Sequence, residues 1–258
     1  GVSSIYHAFT ASATKRFSHS YMAKVAYTFS RSIDTDSEPF GGGAGELQGS
    51  QEVANIRLDR GLSAFDATHR LALNFIWEMP FLRADRGLAS SILGGWQLGG
   101  IVSAQSGFPF TVITGVDTNL DGVLTDRPNL AGTGAPLVGS SPRHFSDGAF
   151  GNAADWTSLF RPAPAGTVSQ LGRNTYRGPS FITADASLTK AFSMPWERSA
   201  IEFRAEFFNL TNRVNLRGPS NSLGTFNATT QRWSNVNFGR SMLAFEGRQI
   251  QFALKFRF

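Results

Sequence analysis

Hydrophobic and polar residues alternate with a period of two in seven segments of the chain. Such alternation places apolar side chains on one face of a β-strand and polar side chains on the other. The last segment is the clearest, because Ile250 and Phe252 alternate with Gln251 and Ala253 and the pattern runs to the final residue. The pattern predicts strands near residues 5–17, 21–33, 69–78, 93–105, 181–192, 199–212 and 248–258.

Short and long connections alternate along the chain. The long ones, rich in Gly, Asn, Asp, Ser and Pro, cover residues 35–68, 106–180 and 213–247. In an antiparallel meander the two kinds emerge at opposite rims, and short turns opposite long loops are the layout of an outer-membrane β-barrel. We therefore predict an all-β fold: an antiparallel transmembrane β-barrel meander of about seven strands with long extracellular loops.

Two other architectures compete with this prediction. A soluble antiparallel sandwich or barrel shows the same alternation, because its apolar face packs against a core instead of lipid. Its weakness is the connection 106–180, since a compact soluble domain rarely holds a structureless loop of that length. A membrane-spanning helix across the uncharged stretch 87–116 is disfavoured by its many glycines and by Pro109.

Composition excludes several function classes. The chain has no Cys, which rules out disulfides, thiolate nucleophiles and Cys-ligated metal sites. Its formal charge of +5 comes from scattered Lys and Arg without a basic run, which argues against nucleic-acid binding. Only 17% of the residues are charged, so we expect much of the surface to avoid water. Because the chain starts at Gly1 without an initiator Met, we expect a piece of a longer polypeptide.

A series of motifs resembles the barrel of TonB-dependent receptors of the Oar-like, carboxypeptidase-regulatory-domain-bearing group. Two examples are Asp126-Arg-Pro-Asn129 and Leu171-Gly-Arg-Asn-Thr-Tyr-Arg-Gly-Pro179. The other matching segments are residues 6–17, 26–34, 60–70, 94–111, 203–212 and the closing strand. The resemblance covers nearly the whole chain, and the motifs follow one another in the family's order.

The resemblance implies a protein of the cell outer membrane of a Gram-negative bacterium. Its barrel would have about 22 strands, closed by an N-terminal plug and energised through TonB, and this chain would supply the C-terminal part. The expected partners are membrane lipid, the plug and TonB through the missing part of the chain, and an unidentified solute or surface ligand. On its own the piece would leave two unpaired sheet edges, so we do not expect it to close as a barrel.

The closing strand resembles the signal by which the barrel-assembly machinery recognises its clients. The residues concerned are Phe252, Leu254, Phe256 and Phe258. The alternative is a lipid-facing strand that happens to be last. We favour the signal, because the chain stops on an aromatic residue and an exposed strand edge invites strand addition by a partner.

One loop has an incomplete calcium-binding pattern. Asp117, Asn119 and Asp121 occupy the first three ligand positions of a calcium loop, with Gly122 at the sharp turn. The twelfth position, where a bidentate Glu is expected, is a proline, so Asp126 would have to replace it. The alternative is a surface turn rich in Asp and Asn. No other cofactor is predicted.

Catalysis finds little support in the sequence, and we predict that the protein is not an enzyme. The four histidines, His7, His19, His69 and His144, lie far apart, and no nucleophile elbow is present. Three charges that share one strand face, Glu202, Arg204 and Glu206, are predicted to line the barrel lumen.

These observations leave three functions open. The first is a receptor or transporter whose long loops recognise a solute. The second is a surface or adhesion protein of the same architecture without transport, and the third is a soluble β-domain that binds carbohydrate. The loop aromatics Trp156, Tyr176 and Trp233 could stack on a sugar or pack within a loop.

Overall fold

Seven long antiparallel strands dominate the computed structural model. It describes residues 2–37, 50–81, 87–124, 126–131, 159–194 and 199–258. The strands are β1 (Ser4–Ser18), β2 (Tyr21–Asp34), β3 (His69–Glu78), β4 (Gln97–Gln105), β5 (Phe181–Ser193), β6 (Ala200–Phe208) and β7 (Gln249–Arg257). The all-β, antiparallel fold class predicted from the alternation is thereby confirmed.

Short elements lie in the connections between these strands. Two are helical: a 3-10 helix (Val53–Asp59) and the α-helix α1 (Leu88–Leu93). The two-residue strands are Gly61–Leu62, Pro109–Phe110, Asn129–Leu130, Phe160–Arg161, Tyr176–Arg177, Phe226–Asn227 and Arg232–Trp233. Within the described residues, no helix combines the length and the apolar character that a membrane span requires.

The long strands pair in sequence order, from β1 to β7, as one meander. Gly61–Leu62 adds a short strand beside β2. Within the described part of the chain, β1 pairs with β2 alone and β7 with β6 alone, so the sheet has two open edges. The turn between β1 and β2 shows how sharply the short connections reverse. His19 and Ser20 both have positive φ, 52° and 68°, which matches the right-handed twist of the flanking strands.

The strand registers align most of the large apolar positions on one face of the sheet, with Ile76 and Ile101 among the exceptions on the other face. Directly paired residues in antiparallel strands share a face. Val25 lies opposite Leu73 and Leu73 opposite Val102, which in turn lies opposite Ala184. The pairing of β6 with β7, where Phe203 lies opposite Leu254, and the pairing of β1 with β2 extend this face across the rest of the sheet. We call this surface the apolar face.

The opposite surface, here called the polar face, carries hydroxyl, amide and charged side chains. One row across the sheet consists of Thr10, Thr28, Arg70 and Gln105. The alternation is local, whereas its agreement in phase across seven strands depends on the registers.

Two strands are shorter than the alternation predicts by more than one residue at an end. The fourth was predicted from residue 93 but starts at Gln97, because the preceding residues form α1 and Gly95 takes a positive φ of 73°. The sixth was predicted to reach residue 212 but ends at Phe208. Asn209 has a φ of 49° there, and its side chain bonds to the backbone of Arg213 in a turn.

The described parts of the long connections contain short elements and packed side chains. The buried hydrophobic cluster of the described residues lies inside these connections and not between the long strands. Its members are Val112, Phe160, Leu171, Tyr176, Leu223, Trp233 and Phe238. A sheet with one face toward lipid needs no core of its own on that side, so the loops build their own.

Candidate functional site

The long connections meet on the side of the sheet opposite the short turns. We call the described parts of 35–68, 106–180 and 209–248 the loop layer. Two of these loops contribute to its hydrophobic core, 106–180 and 209–248. Phe160 of the first loop packs edge-on against Tyr176 of the same loop and against Phe238 of the second, at 6.2 and 5.8 Å between ring centroids. The indole Nε1 of Trp233 donates to the carbonyl oxygen of Phe160 at 3.1 Å. Tyr176 and Trp233 therefore pack within the layer, and Trp156 lies outside the described residues.

A buried ion pair joins the loop layer to the end of β2. The guanidinium of Arg173 pairs with the carboxylate of Asp34, and both side chains are nearly inaccessible. Arg173 also donates to the backbone carbonyl oxygens of Asp34, at 2.9 Å, and Asp59, at 2.7 Å. Four acceptors surround one guanidinium once the hydroxyl of Ser37 at 3.2 Å is included. This arrangement holds two loops and a strand end together.

A second buried pair lies four residues farther along the same loop. Arg177 binds the carboxylate of Asp66, and its Nη1 donates to the carbonyl oxygens of Asp66 and Gly107, each at 2.9 Å. The other carboxylate oxygen of Asp66 accepts the backbone N–H of Ser32 at 2.6 Å. Arg177 thus connects the base of loop 106–180 to loop 35–68 and, through Asp66, to β2.

The third pair is Arg127 with Asp59, joined at 3.1 Å between Nη1 and Oδ1. Arg127 also donates to the side-chain oxygen of Gln51 and to the carbonyl oxygen of Leu58. Burial lowers the pKa of Arg127, while the charge of Asp59 and its hydrogen bond act in the opposite direction. Because Asp59 also accepts from Arg173 through its carbonyl oxygen, the first and third pairs form one network.

Sequence reasoning did not find these three pairs, although their arginines lie in two of the quoted motifs. No local signal marks them, because the burial of Arg173 and Arg177 appears only in the structure. Each arginine is bound by a carboxylate and by backbone carbonyl oxygens of the protein, so the pairs are suited to fixing loop positions.

At Gly107 the beginning of loop 106–180 lies close to the backbone near the end of the same loop. A Cβ atom built there would lie 1.9 Å from the carbonyl oxygen of Gly178 and 2.6 Å from that of Pro179. We expect Gly107→Ala to destabilise the protein by about 1–3 kcal/mol, because backbone must move to make room. Urea unfolding of the protein purified from outer membranes measures this.

The matched control for Gly107 is Gly218, where a Cβ would have no neighbour within 4 Å. Gly218→Ala is expected to leave the unfolding midpoint unchanged. Equal midpoints for both alanine variants would contradict the close packing at the base of the loop.

The candidate calcium loop is closed by bonds between its own side chains and backbone. Asp117 accepts the N–H groups of Leu120 at 2.7 Å and Gly122 at 2.9 Å. Asp121 accepts the N–H of Val123 at 2.9 Å. Within the described residues, no group of three or more acidic or histidine side chains is placed to hold a metal ion.

Asn119 and Asp126 complete the same loop. The Nδ2 of Asn119 donates to the backbone carbonyl of Gln51 at 2.6 Å, so this side chain links two loops. The buried Asp126 accepts the N–H and hydroxyl of Thr118 at 2.6 and 2.7 Å. These contacts are those of a turn rich in Asp and Asn, and calcium binding stays a prediction.

Calorimetry of the intact protein tests the calcium prediction. If the loop binds calcium, the protein releases or absorbs heat on titration with the ion, and Asp121→Ala removes that heat by deleting one ligand. Asp185→Ala, a loss of one carboxylate elsewhere on the polar side of β5, serves as the control. A protein without calcium-dependent heat disproves the site.

The three charges predicted for the lumen lie together on the polar face of β6. Arg204 lies between Glu202, at 3.2 Å, and Glu206, at 3.5 Å. The neighbouring β7 extends the row, since Arg257 binds Glu202 and Gln251 binds Glu206. The charges thus compensate one another on the polar face, and their position in a barrel lumen stays a prediction.

The histidines are not brought together as a catalytic group. His69 accepts or donates a 2.7 Å bond with the hydroxyl of Tyr27, and His7 and His19 lie on β1 and in the first turn. His144 lies outside the described residues.

A model of one known family matches residues 1–251 of this chain, and its description is outer membrane beta barrel domain. The chain belongs to this family. Comparison with curated proteins and with solved structures gives no match. Membership confirms the predicted location in the outer membrane and the association with its lipid, and it corrects the soluble carbohydrate-binding alternative. The TonB-dependent, Oar-like assignment stays a prediction.

Family membership explains the exposed apolar face of this outer-membrane β-barrel domain. Large apolar side chains on that face are open in the structure, among them Phe9, Phe252 and Leu254, whose exposure is 64%, 69% and 74%. In water such a surface would be unfavourable by about 25 cal/mol for each Å². In the outer membrane it lies against acyl chains.

Aromatic and lysine side chains mark the short-turn rim of the barrel domain. The ammonium of Lys15 lies 3.8 Å from the ring centroid of Tyr21, and that of Lys190 lies 5.5 Å from the ring centroid of Trp96. Lys190 also donates to the carbonyl oxygens of Ile92 and Gly94 at the end of α1. Aromatic rings and long amphipathic chains are typical of the membrane–water interface.

Proposed function

We propose that this chain is the C-terminal barrel part of a TonB-dependent, Oar-like outer-membrane receptor that binds or takes up a solute through its long loops. The observation that carries the proposal is the loop layer, which packs around its own core and is joined to β2 by Arg173 and Arg177. A receptor needs recognition loops held in one arrangement, because ordering mobile loops on binding reduces affinity.

The polar face supports a role in solute passage. Its Glu202, Arg204 and Glu206 row and its rows of hydroxyl groups suit a water-filled interior or contact with a plug. The apolar face opposite meets lipid. The proposal assigns no catalytic step to the described side chains.

The two open edges support an origin in a larger barrel. Strands β1 and β7 lack partners on their outer sides among the described residues, and a membrane sheet is stable when every edge is paired. We propose that upstream strands close the barrel and that an upstream plug contacts TonB.

The closing strand supports recognition by the barrel-assembly machinery. Phe258, at 99% exposure, and Phe256 stack at 5.8 Å between centroids at the end of β7. We expect deletion of Phe258 to lower the outer-membrane level of the protein severalfold, because the signal loses its terminal aromatic. Quantitative immunoblotting of membrane fractions after induction measures the level.

The control for that deletion is Phe17→Ala on β1, which removes an exposed aromatic from the opposite edge strand. This variant is expected to assemble at the normal rate. Normal assembly of the protein lacking Phe258 would disprove the signal.

Two measurements test the receptor proposal. Peptide mass spectrometry on separated membranes gives the apparent mass of the polypeptide that ends in Lys255-Phe-Arg-Phe258, and a species far above 28.0 kDa in the outer membrane supports a plugged barrel. Depletion of TonB then distinguishes the two membrane functions. Loss of solute uptake supports transport, whereas unchanged uptake together with loop-dependent surface binding favours an adhesion protein.

A further inference from the structure

A cavity of about 260 Å³ lies between the polar face and the loop layer. Its walls come from β1, β2 and the start of β3, and its roof comes from the loop that carries Phe65, Asp66 and Ala67. We call it the rim cavity. The small side chain of Ala8 lies between Tyr6 and Thr10 on β1, opposite Ser30, and leaves space there.

Hydroxyl groups line most of the rim cavity. They belong to Tyr6, Thr10, Thr28, Ser30 and Ser32. The hydroxyls of the two threonines lie 3.2 Å apart, and that of Ser30 donates to the carbonyl oxygen of Ala67 at 3.0 Å. Each keeps acceptor capacity, and the phenolic group of Tyr6 has no partner among the described residues. Such a lining suits a polyhydroxylated ligand.

Arg70 supplies the uncompensated charge of the cavity. Within the described part of the chain its guanidinium forms no ion pair or hydrogen bond. Asp66 also lines the cavity, but its carboxylate is already bonded by Arg177 and by the N–H of Ser32. The negative charge of Asp66 is compensated by Arg177, whereas the positive charge of Arg70 is not compensated by any described residue. The cavity therefore attracts an anion. A guanidinium binds carboxylate and phosphate groups through two parallel bonds.

Two aromatic rings stand open at the cavity. Phe65 is 56% exposed and Tyr6 is 62% exposed. Exposed rings beside hydrogen-bonding groups offer the combination of apolar surface and directed polar contacts that ligand sites use. The volume lies below the range of about 300–1,000 Å³ for drug-sized ligands, which fits one sugar unit.

We propose that the rim cavity binds an acidic sugar, with Arg70 on its carboxylate and the surrounding hydroxyls on its ring oxygens. The proposal rests on the receptor function above and names the class of solute. It predicts that Arg70 is a specificity residue, since a neutral sugar would use the hydroxyls alone.

Calorimetry on the complete polypeptide, purified from outer membranes in detergent, tests this with D-glucuronate, D-glucose and inorganic phosphate as probes. We expect saturable binding of glucuronate that is about tenfold tighter than that of glucose, the ratio expected for one charge-assisted contact. Arg70→Gln should remove this difference. Phosphate binding as tight as that of glucuronate would overturn the sugar assignment.

The matched control is Lys24→Gln, which removes a positive charge from the same face of β2, four residues from Thr28. At about 13 Å along the strand its charge is largely screened, so glucuronate affinity should stay within about twofold. Ala8→Phe fills the cavity without changing charge and should abolish binding of both sugars. Glucuronate binding that survives both Arg70→Gln and Ala8→Phe, or that is absent from the unaltered protein, would overturn the site.

The receptor proposal and the cavity proposal fail in different ways. A protein that is TonB-dependent in uptake but does not bind glucuronate keeps the receptor function and loses the rim cavity as its site. A protein that binds glucuronate through Arg70 without TonB-dependent uptake keeps the site and loses transport.

Discussion

Arg173→Met is expected to destabilise the protein by about 3–5 kcal/mol, the cost of leaving a buried charge without its partner. The substitution removes the guanidinium that binds Asp34 and two backbone carbonyl oxygens, and it leaves the nearly inaccessible carboxylate unpaired. Urea unfolding in detergent, followed by tryptophan fluorescence, measures the change. Trp233 is a suitable reporter because it is buried in the loop layer.

Two further variants distinguish the loss of the ion pair from an unspecific effect of the substitution on stability. Arg240→Met makes the same substitution at an exposed arginine and should change stability little. Combining Arg173→Met with Asp34→Leu removes both charges and should recover part of the loss, because no buried carboxylate remains. If Arg173→Met and Arg240→Met were equally stable, the pair would not hold the loop layer in place.

Val102→Arg is expected to destabilise the protein by about 2–4 kcal/mol, the range for arginine on a lipid-facing barrel position near the bilayer midplane. Val102 lies in the middle of β4 on the apolar face, between Leu73 and Ala184. Reversible unfolding from lipid vesicles gives the free energy.

The adjacent Ser103 is the matched control. It lies on the polar face, between Ala72 and Thr183. Ser103→Arg should cost well under half as much, because the charge enters the polar face. If the two arginine variants lost equal stability, or if Ser103→Arg lost more, the assignment of the apolar face to lipid would be wrong.

Local alternation was sufficient to predict the strands, because side chains alternate across any extended chain regardless of what surrounds it. The boundaries that failed are those where a few residues compete with the pattern. Residues 93–96 carry a short helix end and a glycine of positive φ, and the side chain of Asn209 bonds to the backbone of Arg213. Such turns depend on single side chains, and the alternation of apolar and polar residues does not reveal them.

The loop layer could not be predicted in the same way. Gly, Asn and Asp in the connections indicate loops, but they do not indicate which loops pack together. Arg173 and Asp34 lie 139 residues apart in sequence, and Arg177 and Asp66 lie 111 apart. Charged residues are expected at the surface, so nothing local marks these four as buried.

The residues of the rim cavity could also be predicted only in part from the sequence. The sequence placed Arg70 and Thr28 on polar strand faces, and its family motifs marked the surrounding segments. Tertiary structure decided that Asp66 would be bound by Arg177 and that Arg70 would be left without a partner among the described residues.

By itself, then, the sequence determined the antiparallel strands, their apolar and polar faces and, through its motifs, an outer-membrane barrel domain. Those properties follow from chain geometry and from the solvent that each face requires. Only the tertiary structure decided the packing of the loops and the pairing of their charges. Such contacts join residues far apart in the chain, and their free energy depends on burial that exists only after folding.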